Sequence, residues 1–270
     1  CIRDGPVFYW DTSGTTSQRG VYLSSLASAS NTPTIAKQVM VSDVDRHVIA
    51  FGCNPLGSNA QDPLLIRFSD QENPADWTPR TTNTAGDLRI GSGTAIVQAV
   101  ETRQEILVFT DQALHSMQFI GPPYTFGINR VSENITIRSP NSAVAVGDSV
   151  YWMGVDQFYV YRGNVNQLNC TVKEKILTDI NNEQSTKIFA GINSGFQEIW
   201  WFYPSVNSDN IDKYVVYNYN MDIWYYGTLN RTAWIDRGID DFPVAAGTDG
   251  KLYFHEYEID DQSGSSPAAV

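Results

Sequence analysis

Basic residues are scarce in this chain of 270 residues: 18 Lys and Arg stand against 30 Asp and Glu, a formal charge of −12. No three basic residues are consecutive, which disfavours a dedicated nucleic-acid grip through phosphate neutralisation. Long apolar runs are missing too. Stretches such as Ile199 to Tyr203 fall far short of the roughly 20 residues that span a bilayer, so no transmembrane helix is expected. Cys1, Cys53 and Cys170 are odd in number and widely spaced, which indicates neither a disulfide framework nor a zinc site and predicts small apolar side chains in or near the core. The three histidines, His47, His115 and His255, are far apart and each lies in an alternating strand. They read as satisfied strand residues rather than as general bases or metal ligands. The chain opens at Cys1 without an initiator Met and without signal-peptide character, and is expected to be a fragment or processed product of something longer. Sequons at Asn134, Asn169 and Asn230 matter only in a secretory pathway.

Helical periodicity is also nearly absent. Only Val172, Ile176 and Ile180 are spaced to place an apolar stripe on a short helix. What the chain has instead is 12% aromatic residues, 20 Gly and 12 Pro, a mixture that favours strands and tight turns. Hairpins are legible at Glu105–Phe109 with Ala113–Phe119, at Ser149–Met153 with Phe158–Arg162, and at Lys213–Tyr219 with Ile223–Gly227. They fall into units of about 45 residues, the length of a four-stranded propeller blade. Unit boundaries are expected near Lys37–Gly93, Thr94–Ile137, Ser139–Ile180 and Asn181–Gly238, with a short fifth unit from Ile239 containing the hairpin Val244–His255. The expected fold is therefore all-β, a β-propeller of about five or more blades. It forms one domain over 1–261, followed by a polar tail or linker over 262–270. Thr12 to Gln38 reads as a long, weakly patterned connection. The orphan strand of Val7, Phe8, Tyr9 and Trp10 is expected to pair with a strand from Val244–Tyr257 and close the ring, which removes exposed sheet edges.

Asp45-Arg-His-Val-Ile-Ala-Phe-Gly52, followed by Asp62-Pro-Leu-Leu-Ile-Arg-Phe-Ser-Asp-Gln-Glu-Asn-Pro-Ala-Asp-Trp77, resembles a unit of the tail nozzle (tail tubular, DNA-stabilisation) proteins of short-tailed bacteriophages. Further matching pieces are Thr102–Asp111, Gly121–Tyr124, Ser139–Asn141, Tyr151–Gly154, Glu198–Phe202, Tyr217–Tyr219 and Trp224–Gly227. Their order along the chain carries the resemblance. It implies the propeller portion of a longer nozzle subunit, made in the host bacterial cytoplasm and located in the virion tail. The implied partners are other nozzle subunits in a ring, usually of six, with the portal or adaptor and other tail proteins. Genomic DNA would pass during ejection or retention without sequence-specific binding. The resemblance brings no catalytic, cofactor-binding or metal residues.

Read residue by residue, the chain offers little catalytic chemistry. Ser69-Asp70-Gln-Glu-Asn-Pro-Ala-Asp-Trp77 is a loose cousin of the aspartate box of sialidase-like propellers, with Asn73-Pro74 where that box carries Gly. Its expected job is a hairpin corner in which Asp70 caps turn amides and Trp77 packs between blades. Arg46, Arg67, Arg89, Arg103 and Arg130 would have to converge to select a substrate carboxylate. Pairs drawn from Asp70, Asp76, Glu101, Glu105 and Glu198 carry no information among 30 acids. Glu256–Asp261 lacks the ligand order of a calcium loop. The runs Trp200–Tyr203 and Trp224–Tyr226 feed both faces of a strand at once, so they predict core filling rather than a stacking platform. Trp152, Trp201 and Trp224 are accordingly assigned to packing, with Ser69, Asp70 and Trp77. No enzyme motif, cofactor or metal is expected. The alternatives to a structural virion protein are a carbohydrate-binding or carbohydrate-cleaving propeller and a generic protein-binding one.

Overall fold

A computed structural model describes residues 1–257 other than Thr16. The described residues are nearly all β, and four of their six sheets are four-stranded antiparallel blades of the propeller type; the chain divides into two compact units, Cys1–Ile137 and Arg138–Val270. The division falls where the second and third sequence units meet.

The first unit opens with β1 (Phe8–Tyr9) and β2 (Val21–Tyr22). Its first blade is β3 (Gln38–Val41), β4 (Val48–Phe51), β5 (Leu65–Phe68) and β6 (Gly86–Arg89), and its second is β7 (Ile96–Glu101), β8 (Ile106–Thr110), β9 (Ala113–Gly121) and β10 (Thr125–Glu133). Both blades are simple meanders. Side chains alternate across a strand, so Ile49, Phe51, Ile66 and Phe68 pack on Ala99, Val108, Met117 and Phe126 of the second blade. Ala50 and Leu65 point the other way, onto Val7, Leu23 and Trp77. The first strands of the two blades are joined by a side chain acting as backbone. The Gln38 amide donates to the Ala99 carbonyl and accepts from the Ala99 N–H, both at 2.7 Å.

The second unit contains β11 (Ala143–Val146), β12 (Ser149–Met153), β13 (Phe158–Tyr161) and β14 (Val165–Gln167), then α1 (Lys173–Asp179). The next blade is β15 (Phe189–Asn193), β16 (Glu198–Tyr203), β17 (Lys213–Asn218) and β18 (Ile223–Thr228). A three-stranded sheet of β19 (Arg231–Ile235), β20 (Val244–Gly247) and β21 (Leu252–Phe254) follows. First strands lie side by side: β11 against β15, and β15 against β19. Helix α1 lies where the spacing predicts it, with Ile176 and Ile180 buried between the two blades. The aromatic run of β16 divides by parity. Ile199, Trp201 and Tyr203 join Tyr151, Met153 and Phe158, while Trp200 and Phe202 join Val216 and Trp234.

Two expectations are corrected. The N-terminal strand does not pair with Val244–Tyr257. Phe8 pairs with Tyr22 and Tyr9 with Val21, and the edge strand β21 pairs with β20. A local partner across a short loop has the smaller closure entropy. Stacked Phe8 and Tyr22 rings 5.1 Å apart and the Trp10 indole N–H on the Gln18 carbonyl at 3.0 Å fix the ribbon. The stretch read as a connection therefore holds a strand and a buried Leu23 that covers the first blade. The second correction concerns Arg231–Ile235, placed by sequence in the fourth unit. It is the first strand of the following sheet, paired with β20. The expected tail, 262–270, and the acids from Glu258 to Asp261 lie outside the described residues.

Candidate functional site

Corner 69–77 is rich in polar groups, and these are occupied by partners within the first blade. Ser69 Oγ accepts from the Val48 N–H at 3.0 Å and donates to the Asp70 carbonyl at 2.8 Å. Asp70 accepts the Thr84 N–H at 2.9 Å and the Thr84 hydroxyl at 2.8 Å. Partial burial pushes the Asp70 carboxyl upward, but these hydrogen bonds outweigh it and hold the pKa below the ordinary value. With its one O–H donating to Asp70, the Thr84 hydroxyl accepts from the Gln71 N–H at 2.9 Å and sits 3.0 Å from His47 Nε2. A His–Thr–Asp chain results, with its histidine end closed off from the surface. His47 is fully buried among Phe68, Phe119 and Phe126, and burial lowers its pKa.

Trp77 is buried at 1% exposure and donates its indole N–H to the Pro74 carbonyl at 2.8 Å. It packs on the outer face of the first blade, under Val7 and Leu23, and not between the two blades. The other assigned tryptophans also pack. Trp152 is buried and stacks on Tyr159 at 5.3 Å. Trp201 donates to the Ser142 carbonyl at 2.9 Å and stacks on Trp224 at 6.0 Å, and Trp224 donates to the Asn169 carbonyl at 3.0 Å.

The remaining candidates are scattered. His115 is buried with Nε2 2.8 Å from Ser92 Oγ. Half-buried His255 accepts from Arg231 Nε at 3.0 Å, and burial with the nearby guanidinium drives its pKa down to about 4. Arg67 is buried, whereas Arg46, Arg80, Arg89 and Arg130 form exposed pairs with Glu72, Asp76, Asp62 and Glu133. The arginines do not converge. Glu198 is buried and taken up by the Trp200 indole N–H at 2.9 Å and the Tyr225 hydroxyl. Glu101 and Glu105 line a small cavity of about 220 Å³ with Arg103 and Phe119. Burial raises the Glu101 pKa, and Glu105 accepts from Ser116. Among the described residues no group of three or more His, Cys, Asp or Glu could hold a metal ion. The cysteines are free, and burial pushes the Cys53 thiol up to about 12.

Two larger hollows remain. One of about 880 Å³ lies in the first unit between β6 and the β9–β10 turn, beside exposed Tyr124. The other, about 560 Å³, lies in the second unit where β15 meets β19. Phe189, Ile211 and Trp234 form its apolar part, and Asn141, Lys187, Asn210 and Thr232 its polar part. Sequence reading missed it because its residues come from four separate segments.

No protein-family model and no curated protein sequence matches the chain. Among solved structures it is similar to the extracellular domain of BT4673 from B. thetaiotaomicron, at 10% identity over 80% of this chain and 25% of that one, TM-score 0.47. It is similar to the AfRom2 CNH domain at 11% identity, covering 93% of this chain and 77% of that one, TM-score 0.46. Against the N-terminal domain of Nup159 the identity is 9%, the coverage 78% and 52%, and the TM-score 0.41. The chain thus spans about a quarter of the BT4673 structure. At these scores the likenesses contribute nothing to a functional assignment.

Proposed function

We propose that the chain is a non-enzymatic structural component of a short-tailed phage tail, a propeller-type part of the nozzle ring that extends the portal and forms the passage for the genome. One observation carries the reading. Four of the nine sequence pieces that resemble nozzle proteins fall at the same place in successive blades. Asp45–Gly52 contains β4, Thr102–Asp111 contains β8, Tyr151–Gly154 overlaps β12 and Glu198–Phe202 lies in β16. Each of these is the second strand of its sheet. Resemblance that follows the blade repeat in chain order concerns the scaffold as a whole rather than one isolated strand.

Two further features support it. The polar corner, the Nε2 atoms of the buried His47 and His115, and the buried Glu198 are engaged within their own blades, as a scaffold requires. The acid excess suits a passage along which a phosphate chain slides, since a basic lining would retain it through counterion release. Labelling purified virions with an antibody raised against this chain tests the reading. Label at the tail is the expected result, and intact tails that carry none withdraw the assignment.

A further inference from the structure

The hollow at the β15–β19 junction is not used by the scaffold role, and its chemistry is specific. Its volume, about 560 Å³, lies within the roughly 300–1,000 Å³ of small-ligand sites. Its apolar part is rigid. Phe189 stacks on Phe202 at 4.8 Å, and Trp234 stacks on Trp200 at 5.4 Å and donates its indole N–H to the Ile192 carbonyl at 2.7 Å. Around this wall stand two carboxamides, Asn141 and Asn210, and the Thr186 and Thr232 hydroxyls. Carboxamides and hydroxyls both donate and accept, which suits a ligand rich in hydroxyl groups.

Among the described residues Lys187 is the one charged side chain lining the hollow. Its ammonium group donates to the Asp209 carbonyl at 2.5 Å and forms no ion pair among the described residues. An ammonium carries three protons, so donors remain for a ligand. In a chain of net charge −12, an unpaired cation beside an apolar wall selects one negative group. We propose that this hollow binds an acidic saccharide, a pyranose unit bearing a single carboxylate. Its apolar ring face would rest on the Phe189–Trp234 wall, its hydroxyls would meet the Asn and Thr groups, and its carboxylate would meet Lys187. A nucleotide fits less well. Among the described residues the hollow offers one cation, Lys187, which matches a single carboxylate and falls short of a doubly charged phosphate.

The inference stands independently of the tail assignment and is tested on the whole chain. Cellobiouronic acid, neutral cellobiose and thymidine monophosphate are titrated separately, read by indole fluorescence and by amide shifts at Ala190 and Ala233. The acidic disaccharide is expected to bind about tenfold or more tighter than cellobiose, the ratio one charge-assisted hydrogen bond supplies. Lys187→Gln should abolish that difference, with the larger loss falling on the acidic disaccharide. Asn210→Ala should weaken both sugars. Both side chains are exposed, so melting within about 2 °C of the parent is expected and shows that each variant folds. No shift at Ala190 or Ala233 with either sugar, equal affinity for the two, or tighter binding of the nucleotide overturns the proposal.

Discussion

The guanidinium of Arg67 lies over the indole of Trp77, 5.9 Å from the ring centroid, and donates to the Trp77 carbonyl at 3.3 Å. It also donates to the carbonyls of Asn31 at 2.5 Å and Asn54 at 3.2 Å. Three chain segments, already linked by hydrogen bonds such as the Trp77 N–H to the Ser30 carbonyl and the Thr34 N–H to the Asn54 side chain, are thus tied to β5 by one side chain as well. Burial lowers the Arg67 pKa, and the planar fork of donors meets carbonyls spread around it in a way a lysine could not. Trp77 fills the space beneath, so corner, N-terminal ribbon and first blade share one core.

Replacing Trp77 by Ala should therefore destabilise the chain by about 3–5 kcal/mol, the range for emptying a large aromatic site. Urea denaturation of the purified variant measures it. A loss below about 1 kcal/mol would mean that the corner does not depend on its indole.

Gly191 tests the packing of the last two sheets. A Cβ built there stands 2.6 Å from Trp234 Cδ1, an indole ring atom held by the stack on Trp200. Gly191→Ala should cost about 1–3 kcal/mol as overpacking and blue- or red-shift the Trp emission. Unchanged stability with an unchanged spectrum would show that β19 packs elsewhere.

His255 should leave an acid signature. Its folded pKa is about 4 against an ordinary 6.5, so below 6.5 the unfolded chain takes up a proton that the folded chain refuses. Its contribution is complete above pH 6.5, is lost as pH falls from 6.5 towards 4, and levels off below 4. The difference in melting temperature between the parent and His255→Gln should change with pH across that range and stay flat above it. Parallel curves would contradict the burial of a neutral imidazole against Arg231.

Duplex DNA should bind weakly or not at all, because 18 basic residues scattered among 30 acids offer no patch able to displace many counterions. Fluorescence anisotropy at low and at physiological salt reads this. Submicromolar, steeply salt-dependent binding would contradict a passive passage.

Much of the architecture is legible in the sequence because strands of four or more residues write their alternation into it. Hairpins β8–β9, β12–β13 and β17–β18 stand where residues 105–119, 149–162 and 213–227 place them. Strand β2 has only Val21 and Tyr22, set in a Ser/Thr/Ala-rich stretch without the aromatic run that marks β1, which is why it is invisible in Thr12–Gln38. Strand β19 follows β18 after only Leu229 and Asn230, so nothing local marks the change of sheet. Trp234, stacked on Trp200 of the preceding blade, reveals it. The role of Arg67 did have a sequence signal, a lone cation inside the apolar stretch Leu64–Phe68. Its carbonyl partners at Asn31 and Asn54 lie 36 and 13 residues away, beyond any periodicity argument.

A three-dimensional map of the intact virion tail tests the central claim most directly. The account predicts density for these blades at positions repeated around the tail axis, bordering the passage taken by the genome. Tails resolved well enough to place every ring protein, yet with no density matching the four-stranded blades of this chain, would contradict it.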